Sequence, residues 1–73
     1  MNESILKAIV KLYGVMDLDG EGILDDIKNG YLTENDTRSG RTVLWYLDES
    51  RNVAIYIDTL EELTEEEKEK ELL

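Results

Sequence analysis

The sequence predicts a small single-domain α+β protein, and three observations predict it. Apolar residues recur at intervals of three and four across residues 5–16. They then alternate with a period of two across 43–47 and again across 53–57. The final ten residues are a glutamate- and lysine-rich run that opens on a capping pair. At 73 residues and 41% apolar content, the chain holds one core of modest net stability. Residues 1–63 are expected to form that packed core, and 64–73 an acidic helical tail.

The first element is an amphipathic helix. Ile5, Ile9, Leu12 and Met16 form its inner stripe, and Leu6, Val10 and Tyr13 form an adjacent row that widens the stripe. Lys7 and Lys11 sit four apart on the opposite side. Asn2 or Ser4 is the expected cap and Gly14 a possible stop. Asp17-Leu18-Asp19-Gly20-Glu21-Gly22 reads as a turn. A short second helix carries Ile23, Leu24 and Ile27, with Asp25 and Asp26 early, Lys28 late and Asn29-Gly30 closing it.

Residues 33–40 contain no apolar side chain and read as an exposed loop. The period then changes to that of an antiparallel hairpin with a loop of four or five residues within 48–52. The expected helix-facing set is Val43, Trp45 and Leu47 with Val53, Ile55 and Ile57. That leaves Leu44, Tyr46, Ala54 and Tyr56 on the other face. Thr59 with Glu62 and Thr64 with Glu67 are two capping-box candidates, which implies either a kinked helix or a short turn before the main helix. Residues 64–71 lack apolar side chains, and Glu66–Lys70, Glu65–Lys68 and Glu67–Lys70 pairs support the helix locally. Such a helix is expected to be solvated and frayed unless a partner orders it, with Leu72 and Leu73 packing back or dangling.

Eighteen acids against eight bases leave a formal charge of −10, with no histidine, cysteine or proline. There is therefore no imidazole for acid–base work near neutrality, no thiolate nucleophile or metal ligand, and no disulfide. Carboxylate pairs such as Asp25/Asp26 need a cleft to act on a substrate. Ser39 and Ser50 have no base nearby in sequence. A non-enzymatic protein without a cofactor is expected. The charge repels nucleic acid and anionic membranes, and no stretch approaches a membrane span. The N-terminal residues lack the pattern of a secretory signal, so a cytoplasmic location is expected.

The stretch from Asp17 to Asp25 resembles an EF-hand calcium loop, with Asp17, Asp19, Glu21, Gly22, Leu24 and Asp25 at positions 1, 3, 5, 6, 8 and 9. Lys28 occupies position 12, where the bidentate glutamate belongs, so an acidic turn is expected and not a metal site. Tyr46 and Tyr56 have two readings, as core against a second helix or as a partly exposed docking or dimer surface beside open hairpin edges.

The acids are segregated. Residues 17–36 hold seven acids against Lys28, a net of −6, and residues 61–71 hold seven against Lys68 and Lys70, a net of −5. The rest carries four acids against five bases. The expected partner is a protein with a basic surface, met by Asp17, Asp19, Asp25 and Asp26 together with Glu61, Glu62, Glu65, Glu66 and Glu69, and by Tyr46 and Tyr56 as apolar anchors. In size, charge and lack of catalytic side chains the chain resembles the small acidic proteins of phages and other mobile elements. Several of those inhibit host nucleic-acid-binding proteins by occupying the phosphate site. The resemblance implies an inhibitor or DNA mimic. The alternative is a self-associating structural or regulatory module, a homodimer built on hairpin edges and exposed aromatics, in which the acids serve only solubility.

Overall fold

A computed structural model describes residues 2–72. The order is α1 (Glu3–Val15), a single 3₁₀ turn (Gly20–Gly22), α2 (Ile23–Lys28), β1 (Leu32–Asp36), β2 (Thr42–Leu47), β3 (Asn52–Tyr56) and α3 (Glu65–Glu71). The strands form one antiparallel sheet in the order β1-β2-β3. The chain is thus an α+β domain with the expected helices and hairpin, plus one strand more than the sequence announced.

The Asn2 side chain caps α1 by accepting from the Ile5 amide at 2.9 Å. The helix runs through Gly14 and ends at Val15. What stops it is Asp17, whose φ of 56° turns the chain out of the helix, a conformation aspartate tolerates better than most residues. Ala8, Ile9, Leu12, Tyr13 and Met16 are buried against Leu32, Leu44, Tyr46 and Ile55 of the sheet. The adjacent row does not follow them inward as a unit: Tyr13 is buried, whereas Leu6 and Val10 are exposed. The short helix α2 packs elsewhere. Ile23 packs on the same cluster, and Ile27 lies beside Ile5, Ile9, Leu32 and Leu44. As the sequence suggests, α2 closes at Asn29-Gly30, where Gly30 takes a φ of 81°.

The segment expected as an exposed loop contains β1. Its single buried apolar residue is Leu32, and nothing in Thr33-Glu34-Asn35-Asp36 signals a strand. It is a strand because β2 offers it a complete ladder, from Leu32 opposite Tyr46 to Asp36 opposite Thr42. Its polar and acidic side chains suit a sheet edge. Thr37, buried at the end of β1, exchanges hydrogen bonds with Arg41, and Gly40 at φ 87° completes the turn into β2.

The hairpin loop is four residues long, 48–51, and it decides which faces meet. Leu44 lies opposite Ile55 and Tyr46 opposite Val53, while Val43 lies opposite Tyr56 and Trp45 opposite Ala54. The expected grouping of Val43, Trp45 and Leu47 with Val53, Ile55 and Ile57 needs a five-residue loop. One residue fewer exchanges the faces of one strand relative to the other. Leu44 and Tyr46 therefore face α1 with Val53, Ile55 and Ile57. Val43, Ala54, Tyr56 and Leu63 form a second cluster on the opposite side, joined by Trp45 and Leu72.

Ile55 is fully buried in the first cluster, so Ile55→Ala should cost about 2–5 kcal/mol, enough to leave so small a domain largely unfolded. Val10→Ala on the exposed row should change stability by no more than about 0.5 kcal/mol. Urea unfolding followed by circular dichroism separates the two.

Candidate partner-binding surfaces

One acidic surface is built on α3. Thr64 caps this helix through a reciprocal capping box, its Oγ1 accepting from the Glu67 amide at 3.1 Å while Glu67 Oε1 accepts from the Thr64 amide at 3.0 Å. The other candidate box, Thr59 with Glu62, starts no helix. Thr59 Oγ1 accepts from the Glu61 amide at 3.3 Å, and Glu62 forms an isolated bridge to Ile55 at the edge of β3. A short turn before the main helix is the arrangement found.

Although α3 has no apolar residue within it, it is docked on the sheet. Lys68 is only 4% exposed, and its Nζ donates to the Asn52 carbonyl and to Glu65 Oε1, the latter at 2.7 Å. A lysine at this spacing packs through its aliphatic stem while its head finds polar partners. Tyr56 donates its hydroxyl to Glu67 at 3.1 Å, the Ser39 hydroxyl donates to Glu71, and the Arg38 amide donates to the Glu71 carbonyl at 3.2 Å. Leu72 packs back on the second cluster, and Leu73 lies outside the described residues. The expectation of a helix solvated until a partner orders it is therefore corrected. Sequence reasoning missed Lys68 because the one apolar residue on its side, Leu72, lies past the end of the helix and a buried lysine leaves no apolar signal of its own.

With Lys68 and Glu67 turned inward, Glu61, Glu62, Glu65, Glu66 and Glu69 are left exposed. Lys70 is exposed too and meets Glu66 at 3.6 Å. The Thr64 amide and then the Tyr56 hydroxyl hold Glu67 below the usual carboxylate range, and the Ser39 hydroxyl does the same for Glu71. The Tyr56 hydroxyl is pushed up by burial and by its bond to Glu67. Its ring carries the Arg41 guanidinium 3.6 Å above the centroid, and Arg41 pairs with Asp58 at 2.8 Å.

The first acidic block is built differently. Asp17 is the exposed residue that ends α1, and Asp25 is exposed on α2. Asp19 turns onto its own backbone, accepting from the Glu21 amide at 3.1 Å. Asp26 is half-buried and accepts from the Tyr13 hydroxyl at 2.7 Å, a contact that adds to burial in raising that hydroxyl's pKa. Asp17, Asp19 and Asp26 line an open cavity of about 370 Å³ together with Tyr13, Tyr46 and Arg51. Among the described residues no three acidic side chains converge as a metal-ligand group.

The two blocks are not brought together. Asp17, Asp19, Asp25 and Asp26 belong to the α1 side of the sheet. Glu65, Glu66 and Glu69 belong to the opposite side, and Glu61 and Glu62 lie near the β3 edge. Tyr46 and Tyr56 are not surface anchors, being 5% and 4% exposed. Tyr46 packs edge-on to Tyr13 at 6.1 Å between centroids, and Tyr56 lies beneath α3. Each strand face is covered by a helix, so neither ring is left for a partner, and Glu62 occupies part of the β3 edge. Among the described residues no helix is long and apolar enough to cross a membrane. Comparison with protein-family models, curated proteins and solved structures gives no match.

Two predictions test how α3 is held. Thr64→Ala should cost about 1 kcal/mol and Lys68→Ala about 2 kcal/mol, whereas Lys68→Met, which keeps the stem, should recover at least half of the latter. Thermal unfolding measures all three. Because Glu67 and Glu71 are held below their unfolded values, their contribution is complete above the ordinary glutamate range and is lost as pH falls through and below it. Fluorescence of Trp45, the single tryptophan, should therefore report α3 leaving the sheet below about pH 4. Glu67→Gln should flatten that titration.

Proposed function

We propose that this chain is a non-enzymatic acidic binding protein whose α3 face engages a basic surface on a partner protein. The observation that carries the reading is the anchoring of α3 from beneath. Lys68, Glu67 and Leu72 hold the helix, while Glu65, Glu66 and Glu69, with Glu61 and Glu62 before them, stay exposed. A carboxylate array carried on a backbone fixed before binding spends less conformational entropy on contact than a disordered tail would.

A nucleic-acid-binding protein is the partner class this suits best. Its lysines and arginines are placed to neutralise closely spaced phosphates, and a helix with carboxylates on successive turns competes for the same cations. In this role the protein works in the cytoplasm as an inhibitor that excludes nucleic acid from the site, in the manner of the phage-encoded proteins it resembles in composition. Asp17, Asp19, Asp25 and Asp26, on the other side of the sheet, contribute to the long-range field and not to the same contact.

The test is displacement of labelled DNA from a panel of purified basic DNA-binding proteins, with a salt titration of any complex found. Affinity should fall at least tenfold between 50 and 500 mM salt, an order-of-magnitude expectation for several paired charges. Glu62→Gln/Glu66→Gln/Glu69→Gln, which spares Glu65 because it holds the Lys68 ammonium, should abolish displacement, while Asp17→Asn/Asp19→Asn/Asp25→Asn should leave most of it. Affinity insensitive to salt, or equal losses in both triple variants, would sink the proposal.

A further inference from the structure

The two edges of the sheet end differently. At β3 the main-chain groups that face outward belong to Asn52, Ala54 and Tyr56, and the chain itself takes them up. Tyr56 donates its amide to the Glu61 carbonyl at 2.9 Å, Ala54 accepts from the Leu63 amide at 2.9 Å, and Asn52 accepts from Lys68 Nζ. At β1 two bonds fix the phase of the ladder. The Leu47 amide donates to the Tyr31 carbonyl at 2.8 Å, and the Thr37 amide donates to the Arg41 carbonyl at 2.7 Å. With an unbroken register between them, Thr33 and Asn35 bond to β2, while Leu32, Glu34 and Asp36 turn their amides and carbonyls outward. Leu32 is buried, but Glu34 and Asp36 are exposed, and among the described residues no hydrogen bond reaches their main-chain groups. We propose that this edge takes up an extended basic segment of a partner protein as a fourth, antiparallel strand, with lysine or arginine opposite Glu34 and Asp36.

Charge and the neighbouring surface select that occupant. Side chains directly opposite one another share a sheet face, so the two incoming residues lie beside the Glu34 and Asp36 carboxylates. Among the described residues Glu34 has no ion-pair partner, and Asp36 engages only Oδ1, which accepts from the Thr42 hydroxyl at 3.2 Å. On the same face Ile5, Ile27, Leu32 and Leu44 line an apolar cleft of about 200 Å³, and Glu34 belongs to its lining. A lysine or arginine opposite Glu34 can lay its stem over that cleft while its head meets the carboxylate. Lys68 is held in the same manner on the other face of the sheet, with Glu65 at its head. A second copy of the chain does not suit the edge. Pairing β1 with β1 through the open residues Glu34 and Asp36 sets acid against acid, between two chains of −10.

This site is distinct from the α3 face, because Glu34 and Asp36 share the face of Leu32 and Leu44, on the α1 side. The open stretch is short, so an isolated segment should bind with a Kd of about 1 mM.

The probe is the peptide acetyl-Thr-Lys-Thr-Lys-Thr-Lys-Thr-amide, and amide hydrogen exchange of the full chain, followed by NMR, reads where it binds. In the free protein the amides of Glu34 and Asp36 should exchange faster than those of Thr33 and Asn35. At 5 mM peptide, exchange at Glu34 and Asp36 should slow at least about threefold, with Thr33 and Asn35 unchanged. Glu34→Gln/Asp36→Asn should weaken binding at least about threefold and leave the circular dichroism spectrum as it is. N-methylation of the lysine amides of the peptide, which keeps its charge, should abolish binding. Glu62→Gln/Glu66→Gln/Glu69→Gln should change it less than about twofold, so this proposal and the α3 reading can fail separately. Unslowed exchange at Glu34 and Asp36, equal binding of the N-methylated peptide, or indifference to Glu34→Gln/Asp36→Asn overturns the added strand. Protection of the two amides by raising protein concentration alone overturns it too, and assigns the edge to a second copy.

Discussion

The register between β2 and β3 is the constraint from which the rest of the architecture follows. The four-residue loop is closed by Asp48, whose carboxylate accepts from the amides of Ser50 and Arg51 at 2.8 and 2.7 Å while its own amide donates to the Arg51 carbonyl at 2.9 Å. Those amide bonds hold the Asp48 carboxyl below its usual range. With the loop set at four residues, Leu44, Tyr46, Val53 and Ile55 fall on one face and Val43, Trp45, Ala54 and Tyr56 on the other. Both faces of the hairpin are apolar, and each must be covered.

That requirement explains the unequal layers. One face receives α1 and α2, an amphipathic helix with a full inner stripe and a short helix filling the ground beside it. The other face has only a glutamate-rich helix available. It is covered by whatever α3 and its lead-in can supply: Leu63, the stem of Lys68, and Leu72 at the far end. The polar atoms entering that layer find partners at once, Lys68 with Asn52 and Glu65, and Glu67 with Tyr56 and Thr64. A lysine and a glutamate thus do on this side what leucines do on the other, and the helix keeps its acidic outer surface.

The same layering manages the net charge. The shortest dimension of the chain is 20 Å, about two and a half Debye lengths at physiological ionic strength. Placing residues 17–26 and 65–71 on opposite sides of the sheet lets two acidic patches exist in a small domain with little mutual repulsion. It also means that a partner meets one patch at a time. On the α1 side, Leu6 and Val10 with Lys7 and Lys11 form a surface where exposed apolar side chains and two lysines coincide.

Short-range patterns were legible in the sequence because their causes are short-range. The periodicity of residues 5–16 specifies α1, the alternation in 43–47 and 53–57 specifies two strands, Thr64 with Glu67 specifies the start of α3, and the two acidic blocks are a matter of composition. Of the candidate site residues, exposure of Asp17, Asp25, Glu61, Glu62, Glu65, Glu66 and Glu69 follows from their chemistry, since an isolated carboxylate stays in water. What only the tertiary structure decided depends on partners distant in the chain. The hairpin register turns on one loop residue. The polar segment Thr33-Glu34-Asn35-Asp36 is a strand because β2 pairs with it. Tyr46 and Tyr56 are buried because a helix lies over each face. Lys68 points inward because Asn52 and Glu65 receive its ammonium, and Leu6 and Val10 stay outside because α2 packs toward Ile5 and Ile9 instead of over them. Local sequence sets which element a residue belongs to, and packing sets which way that element faces.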